Sequence, residues 1–587
     1  MKKIINKPET VVFEMCKGMA AAHPGIKLDE KHKILSKKDI NPKKVSLISG
    51  GGSGHEPAHA GFIGTGMLDA AVCGDVFASP SQIQVYQAIK ENASESGTLL
   101  IIKNYSGDMM NFKNAAVLAA EDGITVDYVK VDDDIAVEDS LYTVGHRGVA
   151  GTILVHKIAG AAAEQGLSLA EVKALANKTI ANVKSIGFAF SSCTVPAKGA
   201  PTFEIGEQEM EYGVGIHGEP GISRDAAATA DELAEKMVGS LLKELHIKPG
   251  QDTETALLVN GFGGTPLQEL YLLNNAVLKV LHKAGVRATR IYVGNYMTSI
   301  DMQGASLSIL KLDEELKKYL SMYSDAPAFK IQGTEEDCVY QPAEDSGEAA
   351  EISYEVQTDA GYAKIEGNKI TLNNIIYLVD KMSEVIIRNE VPFCELDSFA
   401  GDGDFGMSVA KGFRKLKEEW KEIVREDVFT IGIFLQECAM IIMEHCGGAS
   451  GPIWGSAFRS AGKSVGAQTE IDAAQFAEMM QAAVKGIQDT GKRSFGRGAV
   501  VGDKTLIDAL VPCADTWSEE AAKGSAIIDI FAKAAKAAAD GAKKTEAIVA
   551  RMGRAGTVGE RSIGHPDAGA HALGVIFMEL SESLERV

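Results

Sequence analysis

Cysteine and positive charge are both scarce in this 587-residue sequence. The eight cysteines are scattered, and no two of them have C-x-x-C spacing, which argues against a disulfide framework and against a zinc site. Lysine and arginine number 59, whereas aspartate and glutamate number 80. The resulting net charge of −21 argues against nucleic acid or an anionic membrane as the main partner.

Long apolar runs are also missing. No stretch approaches the ~20 apolar residues that a membrane-spanning helix needs. The first residues do not have the pattern of a signal peptide. Because free, scattered cysteines are typical of a reducing compartment, we expect a cytoplasmic protein.

The standard nucleotide-binding motifs are absent. A G-x-x-x-x-G-K-[ST] loop does not occur, because Gly462-Lys-Ser464 lacks the earlier glycine at the required spacing. The pattern G-x-G-x-x-G occurs at Gly213–Gly218 and at Gly401–Gly406, but neither copy opens a helix directly after an apolar strand. A nucleotide must therefore be bound by a different arrangement.

Residues 1–331 alternate short apolar runs, Gly/Asn/Asp loops and helical patterns. Clear examples of the apolar runs are 98–102, 125–131 and 256–259. This alternation predicts an α/β half with sheets covered on both faces, in which functional residues lie at the carboxyl ends of strands. We expect two α/β subdomains that divide near residue 185.

The pattern changes after this half. Residues 332–367 are acidic and weakly periodic, and we interpret them as an exposed linker. From 368 to 587 strand signals nearly vanish, and apolar residues recur at helical spacing. We therefore expect an all-α domain that carries its functional residues in the loops between helices.

One of those loops holds three carboxylates, Asp397, Asp402 and Asp404, within eight residues. Clustered carboxylates repel one another unless a cation lies among them. Oxygen ligands from a loop suit Mg²⁺ or Ca²⁺, although Asp404 alone also fits a helix N-cap. Gly-rich loops at 446–451, 496–503 and 553–559 accompany the three aspartates. Together they predict a metal–polyphosphate pocket, with Arg554 available to phosphate oxygens.

In the α/β half, His55, Asp108 and His217 follow apolar runs or lie in Gly-rich loops, where backbone can approach a small ligand closely. Imidazole with carboxylate forms a general acid/base set, and a neutral imidazole can add to a carbonyl carbon. The acid run at 132–134 is expected to cap a strand and to be solvated.

Four motifs, taken in order, resemble those of the ATP-dependent dihydroxyacetone (glycerone) kinases, which fuse a substrate-binding half to a nucleotide-binding half. They are Gly-Gly-Gly-Ser-Gly-His-Glu-Pro at 50–57, Gly-Ile-His-Gly-Glu-Pro-Gly at 215–221, Gly-Asp-Lys-Thr at 502–505 and Gly-Glu-Arg-Ser-Ile-Gly-His at 559–565. The match covers about 1–330 and 370–585.

The resemblance implies that the first half binds dihydroxyacetone as a hemiaminal between the carbonyl carbon of the sugar and a ring nitrogen of His217. His55 and Asp108 would act on the hydroxyl to be phosphorylated, with Asp108 as the base. The implied substrate contacts are Gly52, Ser53, Gly54, His55, Lys103, Asp108 and His217.

For the second half, the resemblance implies a barrel of antiparallel helices with ATP at one end and two Mg²⁺ ions on Asp397, Asp402 and Asp404. Phe405 stands where many relatives have a polar residue, and Ala568 replaces a proline that is often found there. The implied nucleotide contacts are Phe405, Gly406, Met407, Ser408, Ala449, Ser450, Leu506, Arg554, Asp567, Ala568 and Gly569.

The expected activity is therefore phosphorylation of dihydroxyacetone by ATP, in a homodimer whose halves can exchange between subunits. Alternatives within the same site are a kinase for another short sugar such as erythrulose, and a cyclising FAD-AMP lyase activity that would not use His217. A binding protein without turnover is disfavoured, because every acid, base and metal ligand of the family pattern is present. A phosphohistidine-protein donor is disfavoured because both halves are fused.

Overall fold

The computed structural model describes residues 2–137, 139–140, 143–333, 336–342, 353–425, 430–553, 556 and 558–586. It divides into an α/β unit, Met1–Glu344, and a helical unit, Asp345–Val587. Within the described residues, no helix is both long enough and apolar enough to cross a bilayer. Each unit has apolar core clusters of its own.

The first sheet of the α/β unit is built around strands that are buried on both faces. All six residues of the run Thr-Leu-Leu-Ile-Ile-Lys at 98–103 are buried, as is typical of a central parallel strand. The strands are β1 (Ile26–Asp29), β2 (Ile34–Lys37), β3 (Ser46–Ser53), β4 (Ala70–Val76), β5 (Thr98–Lys103) and β6 (Val126–Val131). Their order is β1-β2-β4-β3-β5-β6, and the last four run parallel.

Helices cover this sheet, and two of them begin at a serine that forms a capping box with the residue three positions later. Ser81 caps the second helix in this way, and Ser168 caps the fifth. The helices are α1 (Val11–Ala22), α2 (Gln82–Asn92), α3 (Ser106–Glu121), α4 (Thr152–Glu164) and α5 (Leu169–Asn182), and a short hairpin, β7 (Asp139–Ser140) and β8 (Thr143–Val144), precedes α4.

The second sheet begins at Val183, close to the division expected near 185, and it is mostly antiparallel. Its strands are β9 (Val183–Ala189), β10 (Glu209–Tyr212), β11 (Ser223–Ala226), β12 (Thr253–Gly261), β13 (Val286–Gly294) and β14 (Gly304–Lys311), in the order β11-β10-β9-β14-β12-β13. Only the β12–β13 pair is parallel. The remaining elements are α6 (Ala230–Glu244), α7 (Leu267–Lys283), α8 (Glu314–Leu320), β15 (Ser324–Ala326) and β16 (Phe329–Ile331).

Eight of the described helices in the helical unit form a closed ring, in the order α9-α11-α13-α14-α15-α16-α17-α18, with α18 packed on α9. They are α9 (Leu372–Arg388), α11 (Phe405–Glu418), α13 (Ile431–His445), α14 (Ser450–Val465), α15 (Ala473–Phe495), α16 (Ile507–Ala522), α17 (Ile527–Lys544) and α18 (Ala568–Ser583). The shorter elements are β17 (Lys364–Ile365), β18 (Ile370–Thr371), α10 (Glu390–Asp397), α12 (Trp420–Ile423), β19 (Glu470–Ile471) and β20 (Glu585–Arg586). The expected barrel of antiparallel helices is confirmed.

The ring packs around an apolar interior. A cavity of about 150 Å³ remains there, lined by side chains from most of the ring helices. The three tryptophans of the chain, Trp420, Trp454 and Trp517, all lie buried in the core of this unit. Before the first ring helix, Ala363 and Ile365 are already buried against the same core.

Candidate active site

Two neighbouring strands of the first sheet bring the predicted residues of the α/β unit together. β3 and β5 are adjacent and parallel, so their carboxyl ends lie side by side. β3 leads into His55, whereas β5 ends at Lys103 and is followed by Asp108 in the first turn of α3. The loop between β10 and β11, residues 213–221, carries His217. These four side chains form what we call the histidine site.

The two imidazoles of the histidine site face each other. Nε2 of His55 lies 3.2 Å from Nε2 of His217, and the rings are nearly perpendicular at 86°. Nδ1 of His55 donates to the carbonyl oxygen of Thr298 at 2.8 Å. Because Nδ1 carries this proton in the neutral ring, Nε2 of His55 is the acceptor and Nε2 of His217 is the donor between the rings.

Aromatic rings enclose both imidazoles. Phe77 stacks on His55 with a centroid separation of 5.2 Å, and it meets His217 edge-on. Tyr105 meets His217 edge-on from a centroid distance of 4.5 Å. Burial is the main cause of the lowered pKa of both histidines, and the Lys103 ammonium adds to it. Both imidazoles are therefore neutral at neutral pH, the form in which a ring nitrogen can act as a nucleophile.

Lys103 and Asp108 complete the site with opposite charges. Both side chains are buried, and Nζ of Lys103 has no hydrogen-bond partner among the described residues. Burial lowers the pKa of Lys103 and raises that of Asp108, whereas the lysine partly offsets the rise at the carboxyl. A Cβ placed on Gly51 would lie 3.3 Å from Nζ of Lys103 and 3.4 Å from Oδ2 of Asp108. The glycine thus leaves a small polar space beside a buried ammonium that has no partner, which fits a hydroxylated ligand.

The predicted Gly52, Ser53 and Gly54 lie beside the histidine site. A Cβ on Gly52 would come within 2.7 Å of the backbone at Phe77, and one on Gly54 within 2.8 Å of the Phe77 ring. The Ser53 hydroxyl donates to the carbonyl oxygen of Gly74 at 2.8 Å. The two glycines therefore allow the loop to pack closely against the turn at Phe77.

The expectation that the acid run at 132–134 is solvated is wrong for two of its members. Asp133 and Asp134 are buried. Asp133 accepts the backbone N–H groups of Val149 and Gly151, both at 2.8 Å. Asp134 pairs with Arg147 at 2.6 Å, and burial raises its pKa to about 6. The run therefore joins the end of β6 to the segment before α4.

The triple-aspartate loop lies between α10 and α11. Asp397 ends α10, and Asp404 precedes the first residue of α11. Asp397, Asp402 and Asp404 each offer one carboxylate oxygen, and these three atoms lie within 4.8 Å of one another. Burial raises the pKa of Asp397, and repulsion from the other two carboxylates adds to the rise. Converging carboxylate oxygens of this kind fit Mg²⁺.

A cavity of about 210 Å³ adjoins this loop, and we call it the helix-end cavity. Four ring helices begin at its wall, α11, α14, α16 and α18. The start of a helix carries a partial positive charge and N–H groups that have no partner within the helix, so the four together favour a polyanion. The predicted residues that line it are Asp397, Asp404, Phe405, Ser408, Ala449, Ser450, Leu506, Asp567, Ala568 and Gly569.

Some predicted nucleotide contacts do not line this cavity. A Cβ on Gly406 would lie 2.0 Å from the carbonyl oxygen of Glu390, so this glycine allows α11 to pack on α10. The Met407 side chain is 56% exposed. Arg554 lies outside the described residues.

Asp567, which lines the cavity, has a structural role as well. Burial raises the pKa of Asp567 to about 7, and this side chain caps α18 by accepting the N–H of Ala570.

Sequence reasoning missed Lys504, which also lines the helix-end cavity. Its buried ammonium donates to three carbonyl oxygens, those of Ile548 at 3.3 Å, His565 at 2.8 Å and Ser562. Lys504 thereby joins the start of α16 to the loop before α18. The Gly-Asp-Lys-Thr motif was the available signal, but only the fold shows which carbonyls the lysine meets.

We expect Lys504→Met to reduce the free energy of unfolding of the helical unit by about 2–4 kcal/mol, because three carbonyls lose their shared donor. Scanning calorimetry of the full chain measures the change. Lys536→Met is the matched control, since Lys536 is exposed on α17 with no carboxylate within 4.0 Å among the described residues. An equal effect of both variants would contradict this role.

We also expect the α/β unit to lose stability as the pH falls from 7.5 to 6. Burial lowers the pKa of His55, His59, His156 and His217, so they bind protons far more readily in the unfolded chain. Their stabilisation is complete above the unfolded pKa of ~6.5 and declines below it, by up to ~1.4 kcal/mol per pH unit for each histidine. Calorimetry at several pH values in this window measures the decline, and a transition independent of pH would contradict it.

Both units of the chain match models of known protein families. A family model described as Dak1 domain matches residues 17–328, and one described as DAK2 domain matches residues 399–582. The chain is 33% identical to the triokinase/FMN cyclase of Rattus norvegicus, over 100% of this chain and 99% of that protein. The chain belongs to the triokinase/dihydroxyacetone kinase family.

Other members of the family differ in their named substrates and in length. The L-erythrulose kinase of Pectobacterium atrosepticum is 32% identical over 100% of this chain and 97% of its own length. The dihydroxyacetone-binding subunit of a PTS-dependent dihydroxyacetone kinase from Listeria innocua is 52% identical, over 54% of this chain and 95% of that subunit. The crystal structure of the C. freundii dihydroxyacetone kinase in complex with AMP-PNP and Mg²⁺ matches with a TM-score of 0.58 and 31% identity, over 99% of both chains.

Proposed function

We propose that this family member transfers the γ-phosphoryl group of ATP to dihydroxyacetone, giving dihydroxyacetone phosphate and ADP, with the sugar held as a hemiaminal on His217. The observation that carries the proposal is the pair of imidazoles whose Nε2 atoms lie 3.2 Å apart, that of His55 buried and that of His217 half-buried, beside a buried ammonium and a buried carboxyl. The helix-end cavity, which the loop with three converging carboxylates adjoins, supports the assignment of ATP as the donor.

Capture of the sugar uses the proton between the two rings. As Nε2 of His217 bonds to the carbonyl carbon, its proton passes to Nε2 of His55, which is free to accept it. His55 then returns that proton to the former carbonyl oxygen, so the net change adds N–H across the C=O bond. A covalent link of this kind fixes a very small ligand and selects carbonyl sugars over glycerol.

Activation of the acceptor hydroxyl falls to Asp108. Its carboxylate accepts the hydroxyl proton as the oxygen attacks phosphorus. Burial raises the pKa of Asp108, and the Lys103 ammonium opposes this rise, so the lysine favours the ionised form that accepts the proton. The space that Gly51 leaves between Lys103 and Asp108 accommodates the hydroxyl of the bound sugar.

On the donor side, Asp397, Asp402 and Asp404 would hold Mg²⁺, for which we propose two ions, and the four helix starts would bind the phosphates. Bound Mg²⁺ neutralises charge on the transferring phosphoryl group. Phe405 gives this cavity an aromatic wall. The histidine site and this cavity belong to separate units, so transfer requires that the two come together, within one chain or between subunits of a homodimer.

A panel of short sugars with Mg²⁺ and ATP tests the substrate. We expect ADP release to be fastest with dihydroxyacetone, slower with erythrulose and undetectable with glycerol. Faster turnover of erythrulose would make erythrulose the preferred substrate in place of dihydroxyacetone. The named activity of the Pectobacterium relative favours this alternative. Turnover of glycerol would contradict capture through a carbonyl.

A cyclising FAD-AMP lyase activity is the second candidate, favoured by the name of the Rattus relative. It would use the helix-end cavity and not His217. Incubation of the wild-type chain and of His217→Ala with FAD and a divalent metal separates the two activities. Cyclic product formed equally by both would assign the lyase activity to the helical unit. Absence of product from both would contradict a lyase activity of this chain.

A further inference from the structure

Arg147 forms ion pairs with Asp134 and with Glu219 of the His217 loop, residues 213–221, and no step of the proposed mechanism uses them. Arg147 is 3% exposed and donates from all three of its nitrogens. Nε donates to Asp134 at 2.7 Å, Nη1 to Oε1 of Glu219 at 3.1 Å, and Nη2 to the carbonyl oxygen of Gly213 at 2.9 Å. One side chain thus ties the end of β6 to two points of the loop.

Glu219 carries this tie to the histidine itself. Its Oε1 pairs with Arg147, whereas its Oε2 accepts the backbone N–H of His217 at 2.9 Å. Both oxygens of the Glu219 carboxylate are therefore held in place. Arg147, which holds Oε1, is itself paired with Asp134. The position of the His217 backbone is set by this chain of contacts, and the ring cage of Phe77 and Tyr105 sets the imidazole.

Gly215 leaves the space in which Arg147 and Glu219 pair. A Cβ at this position would lie 1.8 Å from Oε1 of Glu219 and 2.7 Å from Nη1 of Arg147. Real Cβ atoms do not approach so closely, so any other residue at 215 displaces the carboxylate, the guanidinium or both. The backbone of Gly215 does not have a positive φ, so alanine adds this clash without backbone strain.

We propose that Arg147 and Glu219 are positioning residues that hold Nε2 of His217 against Nε2 of His55, in the geometry that captures the carbonyl of the sugar. We call this Arg147–Glu219 pair the clamp. The inference rests on the proposed function, because it assigns the clamp to covalent capture. Holding a nucleophile in place affects the formation of the adduct more than the later transfer, because Asp108 and Lys103 act on the hydroxyl from other elements.

Gly215→Ala tests the clamp without removing a charge. Gly239→Ala is the matched control, because a Cβ at Gly239, in α6, would meet nothing within 4 Å. The measurement is the ¹³C spectrum of C2-labelled dihydroxyacetone bound to the full chain, in which a carbonyl carbon becomes a tetrahedral carbon when the adduct forms. We expect Gly215→Ala to lose at least tenfold in adduct occupancy and to raise KM more than it lowers kcat, whereas Gly239→Ala resembles the wild type.

Glu219→Gln is the second variant, for the case in which Gly215→Ala does not fold. Its side chain has one oxygen where glutamate has two, so its NH2 group faces either Nη1 of Arg147 or the backbone N–H of His217, and two donors cannot pair. We therefore expect an intermediate loss of adduct with ATP binding unchanged. Full adduct occupancy in a folded variant with the clamp broken would overturn the inference while leaving the proposed function intact. A wild-type chain that phosphorylates the sugar without any tetrahedral carbon would instead overturn covalent capture itself, and the inference with it.

Discussion

His217→Ala is expected to lower kcat/KM for dihydroxyacetone by on the order of 10²–10³-fold, or about 3–4 kcal/mol of transition-state stabilisation. The variant removes the ring nitrogen that lies 3.2 Å from Nε2 of His55 and would hold the carbonyl carbon. A three-carbon ligand has few other groups through which it can be bound and oriented. Steady-state assay of ADP release measures the loss, and crystallography with the sugar shows whether the adduct has gone.

The control for this variant is His282→Ala, because His282 is exposed on α7 and lies outside the histidine site. Affinity for ATP should be the same in both variants, since the described residues that line the helix-end cavity all belong to the helical unit. A crystal of the wild-type chain with unattached sugar beside an intact His217 would contradict the covalent step. Equal activities of the two variants would remove His217 from the mechanism.

Asp402→Asn is expected to abolish Mg²⁺-dependent ATP binding and to lower kcat by at least about 10²-fold, because charge neutralisation by the metal is the main contribution to phosphoryl transfer. Asp402 shares a cluster with Asp397 and Asp404 in which three carboxylate oxygens lie within 4.8 Å of one another. Losing one charge weakens the attraction for a divalent cation. Titration calorimetry with ATP, with and without Mg²⁺, measures the effect.

Asp540→Asn provides the matched loss of one carboxylate, since Asp540 is exposed on α17 and does not line the cavity. It should leave both binding and turnover unchanged. The affinity of Asp402→Asn for ATP without Mg²⁺ should equal that of the wild type or exceed it, because one repelling charge near the phosphates is gone. An unchanged affinity in the presence of Mg²⁺ would contradict the metal assignment.

Local patterns in the sequence predicted the architecture well. The apolar run at 98–102 became β5, whose residues are all buried, as is typical of a central parallel strand. The run at 125–131 became β6, a largely half-buried strand at the edge of the same sheet. The helical spacing after residue 370 became α9, which begins at the capping box of Thr371. Strand-end loops brought His55 and Asp108 together, since β3 and β5 are neighbours. These predictions depend on short-range periodicity and on the general position of loops in α/β folds.

Contacts between distant parts of the sequence cannot be predicted from short-range periodicity. Arg147 and Glu219 are 72 positions apart, and Lys504 meets Ser562 across 58 positions. Nothing in their immediate neighbours shows that these charges are buried and paired. The same limit explains the error at Asp133 and Asp134. Acid runs are usually solvated, but the burial of these two carboxylates depends on which segment packs over the end of β6.

The placement of the three tryptophans allows the unfolding of the helical unit to be followed separately from that of the α/β unit. Trp420, Trp454 and Trp517 all lie in the core of the helical unit, and the α/β unit contains none. Emission excited at the red edge of protein absorption therefore reports the unfolding of the helical unit alone, whereas calorimetry records both units. Where the two measurements diverge, a single melting temperature does not describe the chain, and destabilising variants can be assigned to the unit that they affect.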